Sequence, residues 1–202
     1  MAIIHSAHMD SYKQAVNLLR AGELVALPTD TVYGLAGVAS NAQAREKIYA
    51  VKKRPSEKQL SVVVFSPEQA SKVAHVSNLA RDYMAAFWPG ALTLVMPAKI
   101  GDGTIAVRCP DVTWTAAFGT LGFHDPLVLP SANISGAPAP TTAHEVEQGI
   151  GGQIPLIIDG GVCKAGVASS IISVVGGRSR LLRIGALAPE QLASFDIELD
   201  LA

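Results

Sequence analysis

Four short polar clusters interrupt an otherwise apolar chain, and each adjoins an apolar run. Pro28-Thr29-Asp30-Thr31-Val32-Tyr33-Gly34 sets two hydroxyls around a carboxylate. Such hydroxyls hold a small polar ligand such as an amino acid, or they close an Asx or ST turn on their own backbone. Lys52-Lys53-Arg54-Pro55-Ser56-Glu57-Lys58 places four cations within seven residues. Converging cations favour phosphate or carboxylate. The same run also suits a solvated helix end, where the dipole favours positive charge. Arg108 ends an apolar stretch, where a bare guanidinium is costly to bury, so it calls for a carboxylate ligand or a structural ion pair. Ser131 and Asn133 leave Leu127–Leu129 together and can donate to phosphate oxygens or a base edge, or simply close a turn. Ser169-Ser170 and Arg183 repeat the design more weakly. The sum is one sign of charge, many neutral donors and few acids. That chemistry fits an anion, a nucleotide above all.

Other chemistries lack their residues. The chain has no Walker-type GxxxxGK[ST] and no HExxH. Gly101–Ala106 imitates a dinucleotide fingerprint, but the third Gly is missing and a strand follows instead of a helix. His5 and His8 have helical ligand spacing at the terminus and read as solvated, so no metal site is expected. Lys plus Arg total 16 against 17 for Asp plus Glu, which gives no overall pull toward nucleic acid or a membrane surface. Cys109 and Cys163 form no CxxC pair, and the chain reads as cytoplasmic and reduced. The N-terminus lacks a basic n-region, and no apolar run approaches the ~18 residues of a membrane helix.

These clusters need elements to hold them. Apolar content of 49% supplies a core built mainly from Ala, Val, Leu and Ile. Helices are expected over Ser11–Ala21, Ala42–Val51, Leu79–Phe87 and Val112–Leu121, with capping-box starts at Ser66 and Thr142. Strands are expected over Leu24–Leu27, Leu60–Phe65, Leu92–Met96, Thr104–Val107, Leu127–Leu129, Leu156–Ile158, Ile171–Val175 and Leu181–Ile184. Helices and strands alternate early and strands cluster late, which predicts an α/β fold with a mixed sheet. Loops at strand ends are where such sheets build sites.

Taken in order, PTDTVYGL, KKRPSEKQL, WPGALTLVMPA, AVRCP, PLVLPSANISGAP with a following T-x-x-E-V, ASSII and RIG resemble the YrdC-like family of threonylcarbamoyl-AMP synthases. The match runs from about Leu24 to Gly185, and its fixed order makes it specific. The resemblance implies a single YrdC-like domain over residues 1–202, with its motifs at about 10–187 and no C-terminal extension domain. It implies a twisted mixed β-sheet flanked by helices around a positively charged concave cleft. The implied substrates are ATP, L-threonine and bicarbonate, with Mg²⁺, and the products are threonylcarbamoyl-adenylate and pyrophosphate. A partner tRNA-modifying transferase complex would then move the threonylcarbamoyl group to adenosine 37 of tRNAs that read ANN codons.

By the same resemblance, Lys52 and Arg54 grip the ATP phosphates and the carbamate and are the catalytic pair. Thr31, Arg108 and Ser169 hold the threonine, with Arg108 on its carboxylate. Ser131, Asn133 and Arg183 contact the nucleotide. Gln59, Ser170, Ser173 and Ile184 depart from the residues common at those places. Relatives also have a basic concavity that holds double-stranded RNA, so weak tRNA or double-stranded RNA binding without synthase activity is the alternative. A pI of ≈ 6.5 and few stacking aromatics weigh against RNA as the main ligand.

Overall fold

Apolar runs too short for a helix become strands, and the computed structural model, which describes residues 2–200, gathers them into one sheet. Among the described residues the strands are β1 (Ile3–Ser6), β2 (Val25–Leu27), β3 (Gly34–Val38), β4 (Val62–Val63), β5 (Leu92–Pro97), β6 (Thr104–Arg108), β7 (Leu127–Val128), β8 (Leu156–Asp159), β9 (Ser170–Ser173), β10 (Ser179–Arg183) and β11 (Ile197–Leu199). Their order is β1-β8-β2-β3-β7-β4-β6-β5-β9-β10-β11. Parallel pairs (β1/β8, β2/β8, β4/β6, β5/β9, β10/β11) mix with antiparallel ones (β2/β3, β3/β7, β4/β7, β5/β6, β9/β10). The expected mixed sheet is therefore present. Met1, Leu201 and Ala202 of the expected domain lie outside the described residues.

The helices are α1 (Met9–Arg20), α2 (Ala42–Lys52), α3 (Ala70–Val73), α4 (Asn78–Phe87), α5 (Trp114–Thr120) and α6 (Ala143–Ile150). Strand alternation sorts them into layers. Leu24 and Ala26 pack with Ala44, Ile48, Val146 and Ile150 of α2 and α6. Val25 and Leu27 pack with Val16, Leu19, Trp114 and Phe118 of α1 and α5. Further along the sheet, Tyr83 and Met84 of α4 join Leu92, Leu94, Met96 and Ile172. No helix among the described residues is long and apolar enough to cross a membrane.

Several elements differ from expectation. β1 forms where the terminus reads as solvated, because its backbone finds β8: Ile3 to Ser6 lie in register with Leu156 to Asp159. α1 starts at Met9 because His8 caps it; the His8 Nδ1 accepts from the Ser11 N–H, and the Ser11 Oγ accepts from the His8 N–H. β3 begins inside the PTDTVYGL cluster, and its glycines hide it from a propensity reading. Gly34 is required there by close approach: a Cβ would stand 2.6 Å from Leu129 Cγ. The strand expected over Leu60–Phe65 narrows to Val62–Val63. At Ser66 no side-chain cap forms; Gln69 Oε1 instead accepts from the Phe65 N–H, and a 3₁₀ turn leads into the short α3. The Thr142–Glu145 capping box forms as expected. β11, pairing parallel with β10, was not anticipated.

One irregularity sets the sidedness of β10. Leu181 faces Ile172, but Arg183, and not Leu182, faces Ile171. Leu182 is the extra residue of a β-bulge. A regular ladder would place Leu182 beside Ile171 and turn Arg183 toward the α4 layer.

Gly34→Ala is expected to lower stability by about 1–3 kcal/mol, because the added methyl overpacks a buried contact. Trimming the neighbour with Leu129→Val should recover part of that loss. Thermal melts of the two single variants and the double variant measure the coupling.

Candidate active site

A single row of residues crosses five neighbouring strands. Val63 lies beside Arg108, Arg108 beside Thr93, Thr93 beside Ile171, and Ile171 beside Arg183. All five line one cavity of ≈ 200 Å³. Residues two positions away join them, Ala106 on β6 and Ser61 and Ser169 just before β4 and β9, with Leu129 and Ser131 following β7. Period-two alternation thus builds the floor of the cavity, and the α4 layer holds the other face. Thr29, Thr31, Arg54 and Gln59 complete the polar part of the wall.

The loop after β2 is fastened on every side. The Thr29 hydroxyl donates to Val32 O at 2.6 Å, and its oxygen accepts from the Thr31 and Val32 N–H groups. With that proton committed, the 2.9 Å contact between the two hydroxyls has Thr31 donating to Thr29. Thr31, only 1% exposed, then accepts from Arg108 Nη1 at 2.7 Å. The Tyr33 hydroxyl donates to Gly161 O and accepts from the Gly160 N–H, and Ala165 N and Gly166 N donate to Asp30 O and Thr31 O. Burial first, then the Asp159 carboxylate, pushes the Tyr33 phenol well above its usual range, while the Gly160 N–H opposes them. It is a neutral pin between two loops.

Arg108 sits at the centre with 8% exposure. Its Nε donates to Gly90 O at 2.9 Å, its Nη1 to Thr31, and its Nη2 to Asp30 Oδ1 at 2.5 Å. Three of the five N–H groups are engaged this way, and the side chain still lines the cavity. The sequence left open a ligand or a structural ion pair, and here the ion pair positions a residue of the cavity wall. Burial lowers the guanidinium pKa and Asp30 pulls it back up. An arginine stays charged under those conditions.

Ser169 Oγ lies 2.8 Å from Thr93 Oγ1 and accepts from Arg183 Nη2 at 3.3 Å; Arg183 also donates to Ser169 O through Nε and Nη2. Burial, and then the charge of Arg108, lower the Arg183 pKa. Gly185 explains the last motif: a Cβ there would collide with the backbone of Ala168 and Ser169. The Ser170 hydroxyl accepts from Gly185 N and Leu187 N, so this serine fastens the strand exit. Arg54 lines the cavity while its guanidinium donates to Lys58 O and Gln59 O, closing the basic loop on itself.

Six of the eight expected site residues therefore share the cavity: Thr31, Arg54, Arg108, Ser131, Ser169 and Arg183. Two do not. Asn133 lines a separate cavity of ≈ 290 Å³ with Ala132, Ile134, Pro138, Pro140 and Thr141. Lys52 is 2% exposed, and its ammonium donates to Ser131 O at 2.5 Å and to Asn133 O at 2.7 Å, with Asn133 Oδ1 at 3.4 Å. The expected direct grip of Lys52 on phosphate is not what this geometry presents, because a buried ammonium with those acceptors has no proton left to offer. Thr93 was missed by the sequence reading. Its signal is the single hydroxyl in Leu92-Thr93-Leu94, whose apolar neighbours are fully buried. Both cysteines are buried and raised, Cys109 to about 11, which makes them inert neutral thiols.

A mixed sheet whose polar face gathers arginines and hydroxyls from scattered strand ends defines a small-molecule α/β site. The chain belongs to the Sua5/YciO/YrdC family, whose model, described as telomere recombination, matches residues 17–185. It is 40% identical over 190 residues to the threonylcarbamoyl-AMP synthase of Bacillus subtilis, covering 89% of this chain and 54% of that protein. The solved structure of Pyrococcus abyssi Sua5 complexed with L-threonine superimposes with a TM-score of 0.90 at 34% identity, over 99% of this chain and 62% of that one. Escherichia coli YciO shares the fold at 21% identity, with a TM-score of 0.84 over 95% of this chain and 99% of its own. The chain spans about half the length of the curated Bacillus and Pyrococcus relatives it matches.

Burial and then the nearby Arg54 charge bring the Lys52 ammonium from 10.5 down to about 8. The unfolded chain keeps this proton up to about pH 10.5 while the folded chain releases it near 8, so stability from this position rises with pH across that window. Wild type should gain on Lys52→Met there by at most about 3 kcal/mol, read from melts at pH 7.5 and ~10.5. A constant difference between the two proteins would contradict a desolvated ammonium.

Proposed function

We propose that this protein makes L-threonylcarbamoyl-adenylate and pyrophosphate from ATP, L-threonine and bicarbonate. The observation that carries the reading is the joint lining of one cavity by Arg54, Arg108 and Arg183 with the hydroxyls of Thr31, Thr93, Ser131 and Ser169, and with no carboxylate among the described residues of the wall. The threonine-bound relative, alike over nearly the whole of this chain, supports an amino acid as its occupant. At ≈ 200 Å³ the cavity is smaller than the roughly 300–1,000 Å³ of drug-sized pockets. It suits an amino acid, with the nucleotide lying over its rim.

In this reading Arg108 takes the threonine carboxylate with the N–H groups that Asp30, Thr31 and Gly90 leave over. The hydroxyls around it receive the polar side chain. Bicarbonate takes a proton and loses water to give carbon dioxide. The neutral threonine amine adds to it and releases a proton to leave a carbamate, and a carbamate oxygen attacks the α-phosphorus of ATP. The bond to the β-phosphate oxygen breaks, and pyrophosphate leaves with that electron pair. Negative charge builds on phosphoryl oxygens, so positioned cations supply most of the acceleration. Arg54 and Arg183, which line the cavity, would take that role. A strong protein base is unnecessary, since the carbamate is already an anion.

Mg²⁺ would arrive on the ATP phosphates. The protein residues do not fit a resident site: among the described residues no group of three His, Cys, Asp or Glu side chains could hold an ion, and no carboxylate lines the cavity. The adenylate is unstable, so a tRNA-modifying transferase in the cytoplasm would consume it, placing the group on adenosine 37 of ANN-reading tRNAs.

Incubation with ATP, threonine, bicarbonate and Mg²⁺ should release pyrophosphate in a threonine-dependent way; tight, salt-sensitive RNA binding with no adenylate formed would overturn the proposal. Arg108→Ala should raise the threonine KM by a factor corresponding to about 2–5 kcal/mol, far more than it raises the KM for ATP. Arg54→Ala should abolish turnover while leaving the melting temperature near that of wild type. Near-normal rates in that variant would take Arg54 out of the phosphate grip.

A further inference from the structure

We infer that Lys52 is a positioning residue whose buried ammonium holds the Ser131–Asn133 loop in the form that binds the nucleotide, without touching phosphate itself. This rests on the synthase reading and deepens it.

An ammonium has three protons. Those of Lys52 are met by Ser131 O, Asn133 O and the more distant Asn133 Oδ1. The side chain is almost closed to solvent and does not line the arginine-bearing cavity. Its own carbonyl accepts from Ser135 N at 2.7 Å, so one residue at the end of α2 fastens three positions of the facing loop. Among the described residues the charge has no carboxylate partner, and carbonyl oxygens hold it.

What is held explains why this placement matters. Ser131 faces the ≈ 200 Å³ cavity and Asn133 faces the ≈ 290 Å³ one, so the loop is the wall between them. Asn133 Nδ2 donates to Ile134 O and to Ala137 O at 2.6 Å, which turns the chain toward the second cavity. A ligand reaching across both cavities would meet a loop whose shape depends on a single amine. Removing that amine leaves Asn133 O without its donor and Ser131 O with only the Asn133 N–H, a loss the loop relieves by moving.

The test compares dissociation constants for ATP and AMP, and the threonine KM, in wild type and Lys52→Met, with the fold checked by circular dichroism. Loop positioning predicts that ATP and AMP weaken by the same factor, about tenfold or more, while the threonine KM, for which Ser131 is one of many wall residues, rises less. A loss confined to ATP would mean direct phosphate contact and overturn the inference, as would unchanged affinities in a folded variant. Should Lys52→Met not fold, Lys52→Gln keeps an N–H donor and carries the same comparison. The wild type also decides without a variant. The Lys52 Nζ nitrogen resonance should respond alike to AMP and ATP, and a response specific to ATP overturns the inference. Wild type that binds neither nucleotide and releases no pyrophosphate would instead refute the synthase reading on which this stands.

Discussion

A guanidinium at 8% exposure cannot stand alone, and the site is organised around that constraint. Arg108 ends a central strand, and its fork draws in two segments distant in sequence: Asp30 and Thr31 after β2, and Gly90 before β5. Each partner is held in turn. Gly90 N donates to Cys109 O, so the segments around Gly90 and Arg108 clasp each other. The 165–166 backbone hangs from Asp30 and Thr31, which brings Ser169 to the same wall. Removing the charge would leave the cavity without its centre and several loops without their common anchor.

The sheet supplies the second constraint. Residues far apart along the chain become neighbours because register is shared from β4 to β10. Alternation then commits one face to helices and the other to chemistry. Leu92 and Leu94 pack on the α4 side while Thr93 between them lines the cavity. The polar lining is thus the reverse side of an ordinary core, and the same strands serve both.

Much of this was legible in the residues. Strand ends carrying Arg, Ser and Thr pointed to an anion site, and six of eight named side chains meet there. Residue type reveals capacity but not which acceptor a long side chain will find. Lys52 and Arg54 look equivalent in the sequence, yet α2 carries one inward to carbonyl oxygens and releases the other at the rim. β3 was hidden for a related reason. Gly34 and Gly37 weaken strand propensity, and tight packing against Leu129 and Ile48 is what calls for them. β1 and β11 form through pairing with remote partners, which local patterns do not record.

The doubled step at Leu182 makes residue count itself a chemical variable. Beyond that point, an odd or even number of residues decides whether the sheet shows a ligand a cation or a hydrocarbon chain. A point substitution changes one side chain. A one-residue gain or loss here would exchange the inner and outer identities of the following segment, including the tight seat of Gly185. Among chains of this fold, length through this stretch is therefore as informative about ligand choice as the letters it contains.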